Sequence, residues 1–280
     1  MSAIQQRNSF GELLRRWRTT RRVSQLELGL DAEVSSRHIS FIETGRANPS
    51  REMVVILSSV LDVPLRERNA MLIAAGFAPI YRETDLNAPQ MAQVRQALEL
   101  ILKQHEPFGA IVFDRRWDLV MTNEAYMHMA FMLSGNLDVS FAPYTIAPKP
   151  RLNILKLIFD PLAWKPYIAN WETVAKATLE RLHREAIHYN DPALHDLLQH
   201  LLAYPDVPSR WRDPDFDSPQ DVIVPVEIRF GEHLLRLFST VTTLGTPQDI
   251  TLQELSIESF HAADAQTEQV LRTLAATRQS

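Results

Sequence analysis

Two helix starts stand eleven residues apart near the beginning of the chain, leaving room only for a short helix, a turn and a second short helix. The first is Ser24-Gln25-Leu26-Glu27. Serine at a cap with glutamate three residues on is a capping box, in which each side chain accepts a hydrogen bond from the other's backbone N–H. A helix from Gln25 carries Leu26, Leu28, Leu30 and Ala32 and turns near Glu33-Val34. The second start is Ser35, an N-cap for residues 36–44, which Gly45 terminates. Phe10, Leu13, Leu14 and Trp17 recur at helical spacing and predict a helix over residues 9–21. Ser50 follows the Asn48-Pro49 turn and caps residues 51–61, and Pro64 suits the first position of a helix that ends by Gly76. Five short helices in under eighty residues predict a compact all-α domain.

The helix over residues 36–44 carries the chemistry. At 100° per residue Ile39 and Ile42 share a face and must turn inward. Arg37 and Phe41 point the opposite way, flanked by Ser36, Ser40 and Thr44 on one side and His38 on the other. Such a face suits a major groove, where Arg can grip guanine O6 and N7 and Phe can pack on a thymine methyl. Gln25 and Arg46 stand where phosphates would lie. The charge distribution agrees. The chain as a whole carries −5, but residues 1–80 hold eleven arginines, no lysine and eight acidic residues, a balance of +3, leaving −8 for the rest.

The run from Ser24 to Leu28, the run from Val34 to Arg46 and Asn48-Pro49-Ser50 resemble the Xre-type helix-turn-helix family of phage-repressor-like regulators. The resemblance implies a phosphate contact from Gln25 and base reading by Ser36, Arg37 and Phe41; with Ser35, Ser40 and Arg46 beside them these are the DNA-binding candidates. The resemblance also implies an internal ion pair between Arg18 and Glu43. Family members often carry Gln, Arg or Lys where Phe41 stands, which leaves Arg37 as the principal reader.

Residues 1–77 thus form one domain, residues 78–105 a linker and connecting helix, and residues 106–280 a second domain. The helix over 89–105 presents a stripe of Met91, Val94, Ala97, Leu98, Ile101 and Leu102, suited equally to packing on its own domain and to pairing with a second copy. Beyond it the period changes. Residues 110–113 and 117–122 read as a hairpin around Asp114-Arg115-Arg116, and Asn123 caps a helix over 124–133. Helices follow over 153–159, 171–189 and 192–204, then a polar loop over 205–219. Strands return over 222–230 and 233–244 about the Gly231-Glu232 turn, residues 252–260 read as a third strand with a helix start as the alternative, and a closing helix follows over 262–277. This is an α+β domain with an antiparallel sheet covered by helices.

The stretch Asp114 to Ala125 is similar to the opening of Per-Arnt-Sim (PAS) sensor domains. The segments Pro107 to Val112, Trp117 to Asn123, Asn153-Ile154-Leu155, Asn170-Trp171-Glu172, Ser239 to Pro247 and Ile257 to Phe260 look like the MmyB-like regulators, which pair an Xre-type domain with a PAS-like ligand-binding module. The resemblance implies a multidomain homodimer that binds a palindromic operator in double-stranded DNA and senses a small-molecule effector. Occupancy would reach the DNA-binding domains through the helix over 89–105. Trp117, Met121, Asn123, Met127, Phe131, Asn153, Arg181 and Phe238 are the ligand-binding candidates, and an elongated apolar molecule with one polar end, such as a fatty acid, is the ligand they suit. No cofactor is required.

Other classes find little support. There is no cysteine, no H-E-x-x-H, no Walker loop and no nucleophile elbow, so enzymatic chemistry is not expected. No apolar run reaches the ~18 residues of a membrane span, and the first twenty residues lack a signal core, so a cytoplasmic protein without membrane contact is expected. Two alternatives stay open for the second module. One is a haem- or flavin-bearing sensor with His128 or His183 as axial ligand, and the other a module that mediates protein contacts alone.

Overall fold

The protein is seen here as a computed structural model, in which residues 9–134, 141–213 and 225–278 are described. It divides into two compact units, Met1–Thr84 with Thr246–Gln253, and Asp85–Gly245 with Glu254–Ser280.

The first unit contains α1 (Phe10–Thr20), α2 (Gln25–Asp31), α3 (Ser36–Glu43), α4 (Arg51–Val60) and α5 (Leu65–Ala74). Ser9 with Glu12 and Ser24 with Glu27 both form complete capping boxes, and Ser35 and Ser50 cap α3 and α4. Leu14, Trp17, Leu28, Ile39, Ile42, Leu57 and Met71 make the core. Helices of seven to eleven residues are marginal alone, so this shared core holds them. Two glycines set how closely they approach. A Cβ at Gly11 would stand 2.6 Å from the Ile42 carbonyl oxygen, and one at Gly29 would stand 2.6 Å from that of Val34. Consequently α2 buries Leu28 and Gly29, while Leu26 and Leu30 face outward. Pro64 offers no side-chain cap to α5; the Leu65 N–H donates instead to Gln253 Oε1 at 2.7 Å.

The second unit opens with a 3-10 turn, Pro89–Met91, that runs into α6 (Ala92–Gln104). Its sheet has β1 (Ala110–Phe113), β2 (Leu119–Thr122), β3 (Val226–Phe230), β4 (His233–Thr243) and β5 (Ser256–Ala262), in the order β2-β1-β5-β4-β3, antiparallel throughout. The helices α7 (Glu124–Ser134), α8 (Ile154–Phe159), α9 (Trp171–Tyr189) and α10 (Pro192–Leu202) lie between β2 and β3 in the chain. The short α11 (Ile250–Gln253) lies between β4 and β5 and belongs to the first unit; α12 (Ala265–Arg278) closes the second. One apolar core joins the sheet to α7, α8, α9 and α10. On α6, Leu98 and Leu102 are fully buried and the helix packs on β1, so that part of its stripe serves its own unit.

Two strand expectations change. Trp117 takes a left-handed backbone, φ 66°, which breaks the extended run, so β2 begins at Leu119. The run over 252–260 is split, because Asp249 accepts from the Thr251 N–H and its carbonyl from that of Gln253, winding α11 before β5 starts. The strand expected from 222 begins among described residues at Val226, and residues 214–224, with the later part of the expected polar loop, lie outside them.

Candidate nucleic-acid interface and ligand cavity

On α3 the isoleucines are sealed, Ile39 at 0% and Ile42 at 1% exposure, and Arg37 on the opposite face is exposed. The Arg37 guanidinium sits 5.2 Å from the Phe41 ring centroid and that of Arg46 6.0 Å from it. Phe41 is half-buried, so this aromatic ring holds two exposed cations on one ridge, each favoured over the ring face by its quadrupole. Neither arginine has a carboxylate partner among the described residues. Ser36 and Ser40 flank the ridge half-buried, and Ser35 spends its hydroxyl accepting from the His38 N–H.

Beneath the ridge, Glu43 is 3% exposed and ties three elements together. Arg18 donates to it through Nε at 2.6 Å and Nη2 at 3.0 Å, and Gln25 through Nε2 at 2.8 Å. Burial pushes the Glu43 carboxyl up, but the hydrogen bonds from Arg18 and Gln25 and the charge of Arg18 outweigh it and hold it below the ordinary glutamate range. The Gln25 amide nitrogen is therefore engaged inside the protein; what Gln25 can offer a phosphate is its position at the first turn of α2.

In the second unit a cavity of about 220 Å³ opens between the sheet and the helices. Its walls are mainly apolar. Met129 and Leu133 come from α7, Ile154, Leu155 and Ile158 from α8, Val174 and Ala177 from α9, and Val226, Ile228, Leu237 and Phe260 from the sheet. A cavity of about 150 Å³ with such a lining already holds a benzene-sized molecule, so this one has room for a ligand. Polar side chains on the wall include Tyr126, Arg181, Ser239 and Glu258. Arg181 lies 4.3 Å from the Trp117 ring centroid, and Glu185 fixes both by accepting from Arg181 Nε at 3.0 Å and Trp117 Nε1 at 2.8 Å. The left-handed turn at Trp117 is what aims the indole at this pair.

Glu258, 8% exposed, accepts from Ser239 Oγ at 2.5 Å. Burial pushes its carboxyl above the ordinary range; the Ser239 hydrogen bond and the Arg181 charge oppose this without cancelling it. Tyr126, also nearly buried, has its phenol raised by burial and then by the charge of Glu258.

A family model described as MmyB-like transcription regulator ligand binding domain matches residues 94–274, and one described as helix-turn-helix domain matches residues 9–71. The chain belongs to the MmyB-like transcription regulators. No curated protein matches it. Among solved structures, an RNA-binding light-oxygen-voltage receptor aligns at 14% identity over 100% of this chain and 63% of its own, with a TM-score of 0.28, so the chain spans less than two thirds of that receptor.

In this MmyB-like regulator the DNA-reading candidates converge and most ligand candidates do not. Arg37, Phe41 and Arg46 form the ridge, with Ser36 and Ser40 beside it. Of the eight ligand candidates, Trp117 and Arg181 border the cavity. Asn123 does not: it is fully buried, its Oδ1 accepting from the Ala110 and Tyr126 N–H groups and its Nδ2 donating to the Phe108 carbonyl. Asn153 caps α8 and donates to Arg116 O and Asp118 Oδ1. Met121 is buried in β2 and Met127 borders a small void of about 10 Å³. Phe131 is 57% exposed on α7, and Phe238 stacks on His261. The helix face or strand phase of each decides its place, and the sequence left those phases open.

Neither histidine considered as an axial ligand borders the large cavity; His128 lines a separate void of about 20 Å³, and His183 packs edge-on against Trp211. Tyr126, Ser239 and Glu258 were not anticipated. A signal existed for Glu258, a carboxylate in period-2 phase with Phe260 and Ala262 on a strand next to the core. No helix among the described residues is long and apolar enough to cross a membrane.

Proposed function

We propose that this regulator reads an operator through Arg37, supported by Phe41 and Arg46, and changes its DNA affinity when the cavity of the second unit fills. The observation that carries the first part is the exposed Arg37–Phe41–Arg46 ridge above sealed isoleucines, on a helix seated by the Arg18–Glu43 pair. Two copies would place their α3 helices in successive major grooves, about 34 Å apart on a palindromic site. This working form is a cytoplasmic homodimer, and no catalytic step or cofactor enters it.

The ligand is an elongated, largely apolar molecule with one polar end, fatty-acid-like in shape. The apolar walls and the few polar side chains support this. A ligand shifts the equilibrium only by its differential affinity for two arrangements. The route proposed here is covalent. Both β4 and β5 border the cavity, and the residues that join them, Thr246–Gln253, belong to the first unit. There Asp249 accepts from Thr84 Oγ1 at 2.6 Å, and Gln253 caps α5.

The test is selection of a duplex from a random pool, then fluorescence anisotropy on the selected and a scrambled duplex. Arg37→Ala should weaken binding to the selected site by roughly 1–3 kcal/mol and leave binding to the scrambled one little changed. Equal losses on both would remove Arg37 from a reading role.

A further inference from the structure

The polar wall of the cavity is chemically unusual for a site that takes a plain fatty acid. Three groups have unmet hydrogen-bonding capacity among the described residues. Glu258 has only its Ser239 bond, which occupies Oε1. Arg181 uses only Nε, leaving both terminal nitrogens without a protein acceptor. The Tyr126 hydroxyl makes no protein hydrogen bond. All three line the same cavity, and Glu258 lies within reach of the Arg181 charge and itself acts on the Tyr126 phenol.

A carboxyl this buried is costly to leave half-satisfied. Its open oxygen calls for a hydrogen-bond donor, and the Arg181 fork calls for an acceptor. A ligand carboxylate supplies acceptors only and brings a second negative charge beside Glu258. A head that donates and accepts without charge satisfies both at once.

We propose that Glu258 is the specificity-determining residue of this cavity, and that the ligand is an acyl-chain compound with an uncharged, donor-bearing head of the carboxamide class, its N–H on Glu258 and its carbonyl on Arg181. This rests on the cavity being the ligand site, as proposed above. It narrows the fatty-acid-like shape to a head group that is not a bare carboxylate.

The test is isothermal titration of the full-length protein at pH 8 with octanamide, octanoate and methyl octanoate, which share a chain and differ in the head. Octanamide should bind at least about tenfold more tightly than either of the others, the equivalent of one net hydrogen bond to a charged group. Glu258→Gln, which offers a donor of its own, should shrink the octanamide-to-octanoate ratio to about threefold or less by strengthening octanoate. Ser239→Ala, which takes away the internal donor to Glu258, should widen that ratio. Octanoate binding as tightly as octanamide, or a ratio that neither substitution moves, overturns the head-group assignment and leaves the cavity reading intact. If none of the three compounds binds the wild-type protein, the cavity reading itself fails and takes the assignment with it.

Discussion

Removing Glu43 should cost the first unit a large share of its stability. Glu43 is 3% exposed and Arg18 12%, and beyond the two hydrogen bonds between them Arg18 has, among the described residues, only the Val23 carbonyl as a further acceptor. Glu43→Ala therefore strands a nearly buried guanidinium and the Gln25 amide together. Breaking such a pair from one side costs about 3–5 kcal/mol, against the roughly 5–12 kcal/mol that holds a unit of this size together. Hydrogen–deuterium exchange on the full chain separates the two units. The slowest amides of α1 and α3 should exchange roughly two to three orders of magnitude faster, since each 1.4 kcal/mol is about tenfold. The double substitution Arg18→Met with Glu43→Leu should recover most of the loss, because it removes both buried charges. The pair also carries a pH signature. The Glu43 carboxyl is held below its unfolded value, so its contribution is complete at neutral pH and fades as pH falls below the ordinary glutamate range through the folded value. Exchange rates in α1 and α3 that move less than about fivefold in Glu43→Ala would refute this account, as would a double variant weaker than either single one.

Three further outcomes follow from other parts of the chain. Gly29→Ala should lower the first unit's stability by about 1–3 kcal/mol, because the added methyl meets the Val34 carbonyl, whereas Gly245→Ala, with open space around it, should do little; urea titration of each compares them directly. Glu258→Gln should raise the thermal midpoint at pH 8 and raise it less at pH 4. The folded-state carboxyl is raised, so the penalty for its charge grows as pH climbs from the ordinary glutamate range through the folded value, and an unchanged or lower midpoint at pH 8 would contradict this. Gln253→Ala should speed amide exchange at the start of α5 by roughly fivefold, a loss of about 1 kcal/mol, since no side chain of α5's own flank replaces the cap; unaltered exchange at Leu65 would show the bond to be idle.

The helix-turn-helix unit was legible because its determinants are local. A capping box such as Ser24 with Glu27 acts within four residues, and the spacing of Ile39 and Ile42 fixes which face of α3 must turn out. Sheet residues gave far less. Trp117 looks like the first residue of a strand, yet its left-handed backbone ends the turn and turns the indole toward Arg181. Asn123 reads locally as a helix cap, and nothing in the sequence shows where the amide nitrogens of Asn123 and Asn153 go. Both are consumed by backbone partners many residues away, which no local pattern reveals.

The cavity was hidden for a related reason. Apolar residues at helix and strand spacing fill cores far more often than they line cavities, so Met121, Met127 and Phe131 carried no information that separated the two roles. Residues that break the apolar rule are more telling. A carboxylate at an inward strand position, as at Glu258, costs stability unless something answers it, and among the described residues only Ser239 does so by hydrogen bond. The same logic applies to Asp249 and Gln253, polar residues in the link between two cavity-bordering strands, whose partners Thr84 and Leu65 lie well over a hundred residues earlier. Polar groups placed at such cost on one continuous stretch of chain, from the cavity wall to the cap of α5, are what the covalent route proposed above rests on.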